Sequence, residues 1–171
     1  MGTTYHHKPL AGPNSTRVLH LLPSISSSSD PIEIQLFDIN LGNAPKYEAL
    51  SYAWGSVTEK VAINCDNKEL RVTLNCESAL RHLRLQDQKR TLWVDAICID
   101  QTSVEERNQQ VRIMGEIYST ASRVTIWLGP AVPMVEIVLP FLAEFESVMG
   151  LDQKSQEGFV MGKFRMLKGI S

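Results

Sequence analysis

The stretch from residue 47 to residue 129 constrains the fold more than any other part of the chain. It reads as strand, helix, strand, helix, strand, the pattern of parallel βαβ units. The first strand is Tyr47-Glu48-Ala49-Leu50-Ser51-Tyr52-Ala53-Trp54-Gly55 and the second is Leu92-Trp93-Val94-Asp95-Ala96-Ile97-Cys98-Ile99-Asp100-Gln101. Both read as buried strands that break into aromatic, acidic or amide residues at their carboxyl ends. Ligands of open α/β sheets bind in the crevice outside those ends, so the two endings define a candidate site. Arg123-Val124-Thr125-Ile126-Trp127-Leu128-Gly129 supplies the third strand.

The connections fit this frame. Val61 to Cys65 and Leu70 to Thr73 flank the polar turn Asp66-Asn67-Lys68-Glu69, which reads as a β-hairpin. Asn75 is placed to cap a short helix with Ala79, Leu80 and Leu83 on its apolar face. For the next helix, Ser103 and Glu106 fit a capping box, and Val111, Met114, Ile117, Tyr118 and Ala121 form one apolar stripe.

Upstream, Thr16 to Leu22 is strand-like, and a serine-rich run from Ser24 to Ser29 links it to the alternating strand Ile32 to Leu36. Residues 1–15 are polar, with Pro9, Gly12 and Pro13, and are expected to be a flexible amino-terminal arm. Downstream, Val135 to Met149 has helical spacing that Pro140 either kinks or restarts. The domain is therefore expected over residues 16–149. Residues 150–171 have weak periodicity and read as a truncated or poorly ordered tail of a longer protein.

Composition removes several function classes. Seventeen basic residues against 19 acidic ones, for a formal net charge of -2, leave no electrostatic footprint for nucleic acid. No apolar stretch approaches the roughly 20 residues that cross a bilayer, and the amino terminus lacks a signal-peptide pattern. Cys65, Cys76 and Cys98 lack CxxC spacing and read as reduced thiols, so a cytoplasmic location is expected. His6, His7, His20 and His82 are scattered at spacings unlike those of a metal site, and no Gly-rich phosphate loop is present, so neither a metal nor a required cofactor is expected.

Three blocks resemble the heterokaryon incompatibility (HET) domain of filamentous fungi: YEALSYAWG at 47–55, LWVDAICIDQ at 92–101 and ERNQQVRIMGEIYSTASRVTIWLG at 106–129. The looser lead-in from Arg17 to Leu36 extends the resemblance to residues 16–130. Members are typically longer, with a variable region after this domain. The resemblance implies a role in non-self recognition, in which fusion of incompatible cells triggers programmed cell death. It further implies a distant relation to Toll/interleukin-1 receptor (TIR) domains, some of which assemble and some of which cleave NAD. The implied fold is a flavodoxin- or TIR-like, mostly parallel sheet with flanking helices and an added amino-terminal β-hairpin region.

The implied partners are a second copy of the chain or an incompatibility partner protein, and NAD is the candidate substrate of an enzymatic reading. A third reading is an inactive or regulatory truncated relative. TIR-type enzymes take an essential glutamate from the helix after the third strand, where this chain offers Glu136.

Each candidate residue carries a structural alternative. Asp95 lies in an apolar segment, where an ionised carboxylate is costly unless paired or hydrogen bonded. It is either the catalytic acid or a scaffold group bound to loop amides or to Arg107. Tyr52 and Trp54 are either ring-stacking walls of a pocket or core side chains. Asp100 and Gln101 could hold a ribose hydroxyl or cap a loop. Glu106 is a helix cap before it is a catalytic group, and Cys98 is an apolar filler, since no histidine stands in the matched blocks.

Overall fold

The computed structural model describes residues 3–24 and 30–129, together with the backbone of 164–167. Eight strands form one sheet: β1 Ser15–Leu21, β2 Glu33–Asn40, β3 Glu48–Tyr52, β4 Lys60–Cys65, β5 Lys68–Thr73, β6 Arg90–Trp93, β7 Arg123–Trp127 and β8 Phe164–Leu167. Among the described residues three α-helices connect them, α1 Leu74–Leu83, the single turn α2 Asp95–Cys98 and α3 Val104–Thr120, besides a 3-10 turn at Leu41–Asn43. The spatial order of strands is β5-β4-β2-β1-β6-β3-β7-β8.

The class is α/β, as expected, but the sheet is mixed rather than mostly parallel. β6, β3, β7 and β8 run parallel, while β1 joins this group antiparallel to β6 and pairs antiparallel with β2. β4 lies parallel to β2, and β5 folds back on β4. The β4–β5 hairpin is the one read from the sequence, but its turn is shorter than expected, two residues, with Lys68 and Glu69 already in β5. Asp66 and Asn67 both have positive φ (50° and 62°), which suits Asp and Asn and matches the twist of the flanking strands.

The core lies along the centre of this sheet. Leu19, Leu21, Ala49, Leu92 and Trp93 are fully buried there, as are Ala79, Leu80 and Leu83 of α1. Their apolar area is the main drive for folding, at about 25 cal/mol per Å². A buried polar thread crosses the core as well. Trp93 Nε1 donates to Thr16 Oγ1 at 3.1 Å, Thr16 donates to Gln110 Oε1 at 2.6 Å, and Gln110 Nε2 donates to the Ser15 carbonyl at 2.8 Å. Each member satisfies another, which is what allows Gln110 to be wholly buried.

Three local readings are corrected. Asp95 is not in a strand: β6 stops at Trp93, and the apolar run that follows coils into α2, burying Ile97 and Cys98. In α3, Met114, Ile117, Tyr118 and Ala121 pack on the core as expected, but Val111 points outward at 62% exposure and the buried Gln110 takes its place. The cap of α1 is Thr73, whose hydroxyl accepts from Cys76 N, rather than Asn75.

Residues 3–8, expected to be part of a loose arm, run along β5. Glu69 N donates to the Thr3 carbonyl at 2.9 Å, and Tyr5 N donates to the Glu69 carbonyl at 2.8 Å. The helix expected over 135–149, including Glu136, lies outside the described residues.

Candidate functional site

The carboxyl ends of β3, β6 and β7 converge. Beyond β3 the chain turns at Gly55, whose φ of 70° suits glycine, and just before it Trp54 swings toward the end of β6. There Trp54 Nε1 donates to Asp95 Oδ2 at 2.8 Å, while Asp95 Oδ1 accepts from Ala96 N at 2.6 Å. Gln101 folds back to donate from Nε2 to the Asp95 carbonyl at 2.8 Å. Arg107, one of the proposed structural partners, is not among the hydrogen-bond or ion-pair partners of Asp95.

Burial raises the pKa of Asp95 above the ordinary carboxylate value, against the opposing pull of the Trp54 and Ala96 hydrogen bonds. The donors are neutral, so the carboxylate has no cation to hold it ionised. Such a group can hold a proton or stabilise positive charge that develops beside it.

Tyr52 sits deeper. Its buried hydroxyl has no hydrogen-bond partner among the described residues, and burial, with Cys76 and Asp95 as neighbours, suppresses its ionisation strongly. The thiols of Cys76 and Cys98 are pushed up to about 12, chiefly by burial. Both remain protonated at neutral pH and serve as packing groups, as the sequence suggested for Cys98.

A cleft of about 320 Å³ opens beside Trp54, with Gln101, Asp100, Lys60, Arg71 and Tyr5 among its walls. Of the proposed ligand-binding residues, Trp54, Asp100 and Gln101 line it, whereas Tyr52 and Asp95 stand behind this lining. Asp100 is engaged locally, accepting from Thr102 N at 2.9 Å and Thr102 Oγ1 at 2.6 Å. Burial works to raise its pKa, but these bonds prevail and hold it below its usual value.

Glu106 keeps half of its expected capping box. Ser103 Oγ accepts from Glu106 N at 3.2 Å, but the Glu106 carboxylate turns to Arg17 at 2.6 and 3.1 Å and to Asp100 N at 2.7 Å. Arg17 is 1% exposed and also donates to the carbonyls of Cys98 and Lys8. It thereby joins β1, α2, α3 and the amino-terminal segment, and burial of so large a cation is tolerable only with such a full set of acceptors.

Two residues here gave no sequence signal as site scaffolding. Asn75 donates to the Ala53 carbonyl and accepts from Trp127 Nε1 at 3.0 Å, tying the ends of β3 and β7 together. His7 meets the Ile97 carbonyl at 2.7 Å and holds the amino-terminal segment against α2. Among the described residues no group of three His, Cys, Asp or Glu side chains could hold a metal ion, and no helix is long and apolar enough to cross a membrane.

Comparison with known proteins matches this region. The family model described as heterokaryon incompatibility protein (HET) matches residues 47–157, which include β3, β6, β7 and everything between them. The chain is 37% identical over 155 residues to "Heterokaryon incompatibility protein 6, OR allele" of Neurospora crassa. That alignment covers 82% of this chain and 23% of the relative, so the chain spans about a quarter of the length of the curated protein it matches. No solved structure matches. The family match and the identity of the aligned region together place the chain in the heterokaryon incompatibility (HET) family.

Proposed function

We propose that this chain is the death-inducing module of a fungal non-self recognition system. In this reading it acts in the cytoplasm through self-assembly or contact with an incompatibility partner protein, with no required cofactor. The observation that supports it is the 37% identity to a protein named for heterokaryon incompatibility, over a region that contains the whole Trp54–Asp95 site. The test is induced expression of the chain in a filamentous fungus. Growth arrest and loss of viability are expected, and normal growth with the folded chain present at high level contradicts the proposal.

A second reading, a TIR-like NAD glycohydrolase, is favoured by one feature of the topology. Taken in chain order, the parallel strands β3, β6, β7 and β8 lie second-first-third-fourth, which is the flavodoxin-like order whose ligands sit at the strand ends. In this reading the bond between the ribose C1′ and the nicotinamide nitrogen breaks, and its electron pair neutralises the pyridinium. Water then adds to C1′ and releases a proton. Trp54 walls the ring, Asp100 and Gln101 hold ribose hydroxyls, and Asp95 stabilises the positive charge at C1′ from behind Trp54, with Glu136 as a second acid; Tyr52, which does not line the cleft, takes no part in this reading. NAD consumption by the purified chain, lost in Asp95→Asn, is the expected result. Equal consumption by the two proteins, or none by a folded chain, contradicts it.

A further inference from the structure

The amino-terminal edge of the parallel strands carries a feature that the site at their other end does not use. A cleft of about 390 Å³ opens between the starts of β3, β6 and β7, with Lys46, Lys89, Arg90 and Arg123 facing a single carboxylate, Glu48. Arg90 is committed to Glu48 by two hydrogen bonds, at 3.0 and 2.7 Å. Lys46, Lys89 and Arg123 are exposed and make no ion pair among the described residues. On a chain whose formal net charge is -2, this is a local concentration of positive charge that overall composition does not explain.

At the other end of α3 the sign reverses. A second cleft, of about 310 Å³, is lined by Asp100, Glu105 and Glu106. Glu106 is taken by Arg17, which leaves Asp100 and the exposed Glu105 facing outward. Arg107, on the same helix, does not line it. The 17 residues of α3 put about 25 Å between the two ends.

We propose that the basic cleft is a docking site for the acidic rim of a second copy of this chain. The inference deepens the reading of the chain as an assembly module and rests on it. Charge complementarity chooses the occupant: like ends repel, so two copies meet with opposite ends in contact. Such a contact is heterologous, and each added copy leaves one free end of each sign, so association continues into open chains unless the rotation closes a ring. Exposed ion pairs are screened by salt, so the association is weak, steered by charge and salt-sensitive.

Sedimentation of the intact chain over a concentration series tests this, with Arg123→Glu and Glu105→Arg beside the wild type and circular dichroism to confirm that each is folded. The wild type is expected to form species larger than dimers at low ionic strength and to dissociate at high ionic strength. Each variant alone is expected to be monomeric. Their equimolar mixture is expected to associate again, because one retains its acidic rim and the other its basic cleft. A monomeric wild type at every concentration, variants that associate like the wild type, or a mixture that stays monomeric each overturns the proposal. Growth arrest by a wild type that is monomeric in sedimentation overturns the docking proposal alone, whereas charge-dependent association without arrest overturns the death-module reading alone.

Discussion

The indole of Trp54 donates a hydrogen bond to the carboxylate of Asp95 at 2.8 Å, joining the end of β3 to the first residue of α2. Two of the three sequence blocks that resemble the HET family thus meet at one bond. That bond also governs the charge on Asp95, since it is one of the two interactions that favour the ionised form.

Trp54→Phe keeps an aromatic ring but removes the donor. The pKa of Asp95 is expected to rise further, and stability at neutral pH to fall by about 1.5–3 kcal/mol, the usual range for a hydrogen bond to a charged group. Carboxyl NMR titration and urea denaturation measure the two effects. Because the folded-state pKa of Asp95 is already raised, its contribution to stability declines as pH rises from its unfolded value through the folded one. Asp95→Asn is expected to remove that decline.

Glu106 has the opposite sign. Burial alone would raise its pKa, but the hydrogen bonds from Arg17 and Asp100 N prevail and lower it. Its contribution is complete above its unfolded value, near 4.5, and is lost as pH falls through the folded one. Glu106→Gln is expected to cost about 1.5–3 kcal/mol at neutral pH, because it removes the nearer carboxylate from a guanidinium that is 1% exposed and leaves it Asp38 at 3.5 Å and two carbonyls. Denaturant midpoints measured across pH should show a flatter acid limb in the variant.

Gln110 and Val111 are neighbours in sequence with opposite fates. Gln110→Ala leaves the Thr16 hydroxyl proton without its acceptor, though Trp93 still donates to that oxygen, removes a donor from the Ser15 carbonyl, and is expected to cost about 1–3 kcal/mol. Val111→Ala, at a side chain 62% exposed, is expected to stay within about 0.5 kcal/mol. Thermal melts of the two variants separate them.

Deleting residues 1–8 exposes the outer edge of β5 and removes the Lys8 carbonyl from Arg17. A lower melting temperature and a greater tendency to aggregate are expected, as for any uncovered strand edge. The sharper reading is hydrogen exchange at the Glu69 amide, which donates to Thr3 in the intact chain and should lose its protection in the shortened one.

Several elements were legible in the sequence for clear physical reasons. The β4–β5 hairpin announced itself through Asp66 and Asn67, and α3 through the Ser103 cap. Asp95 was marked by the cost of a carboxylate among apolar residues, and its raised pKa follows from that burial. What pattern could not reveal depends on contacts distant in sequence. Gln110 is polar, so a count of apolar residues puts Val111 in its place on α3, and its burial rests on Thr16 and Ser15, 94 and 95 residues away. The apolar run after Trp93 is equally suited to strand and helix, and α2 follows directly where the pairing of β6 with β3 ends at Trp93. Asn75 reads as a cap until the end of β7 supplies Trp127 as its partner.

The most direct test of the proposed death-inducing role is growth of a filamentous fungus on induced expression of the wild-type chain, of Asp95→Asn and of Trp54→Ala, with thermal melts of the purified proteins showing that all three are folded. The expected result is arrest by the wild type and near-normal growth with either variant. Normal growth with the wild type, or equal arrest with all three, would contradict a death-inducing module whose action depends on the Trp54–Asp95 site.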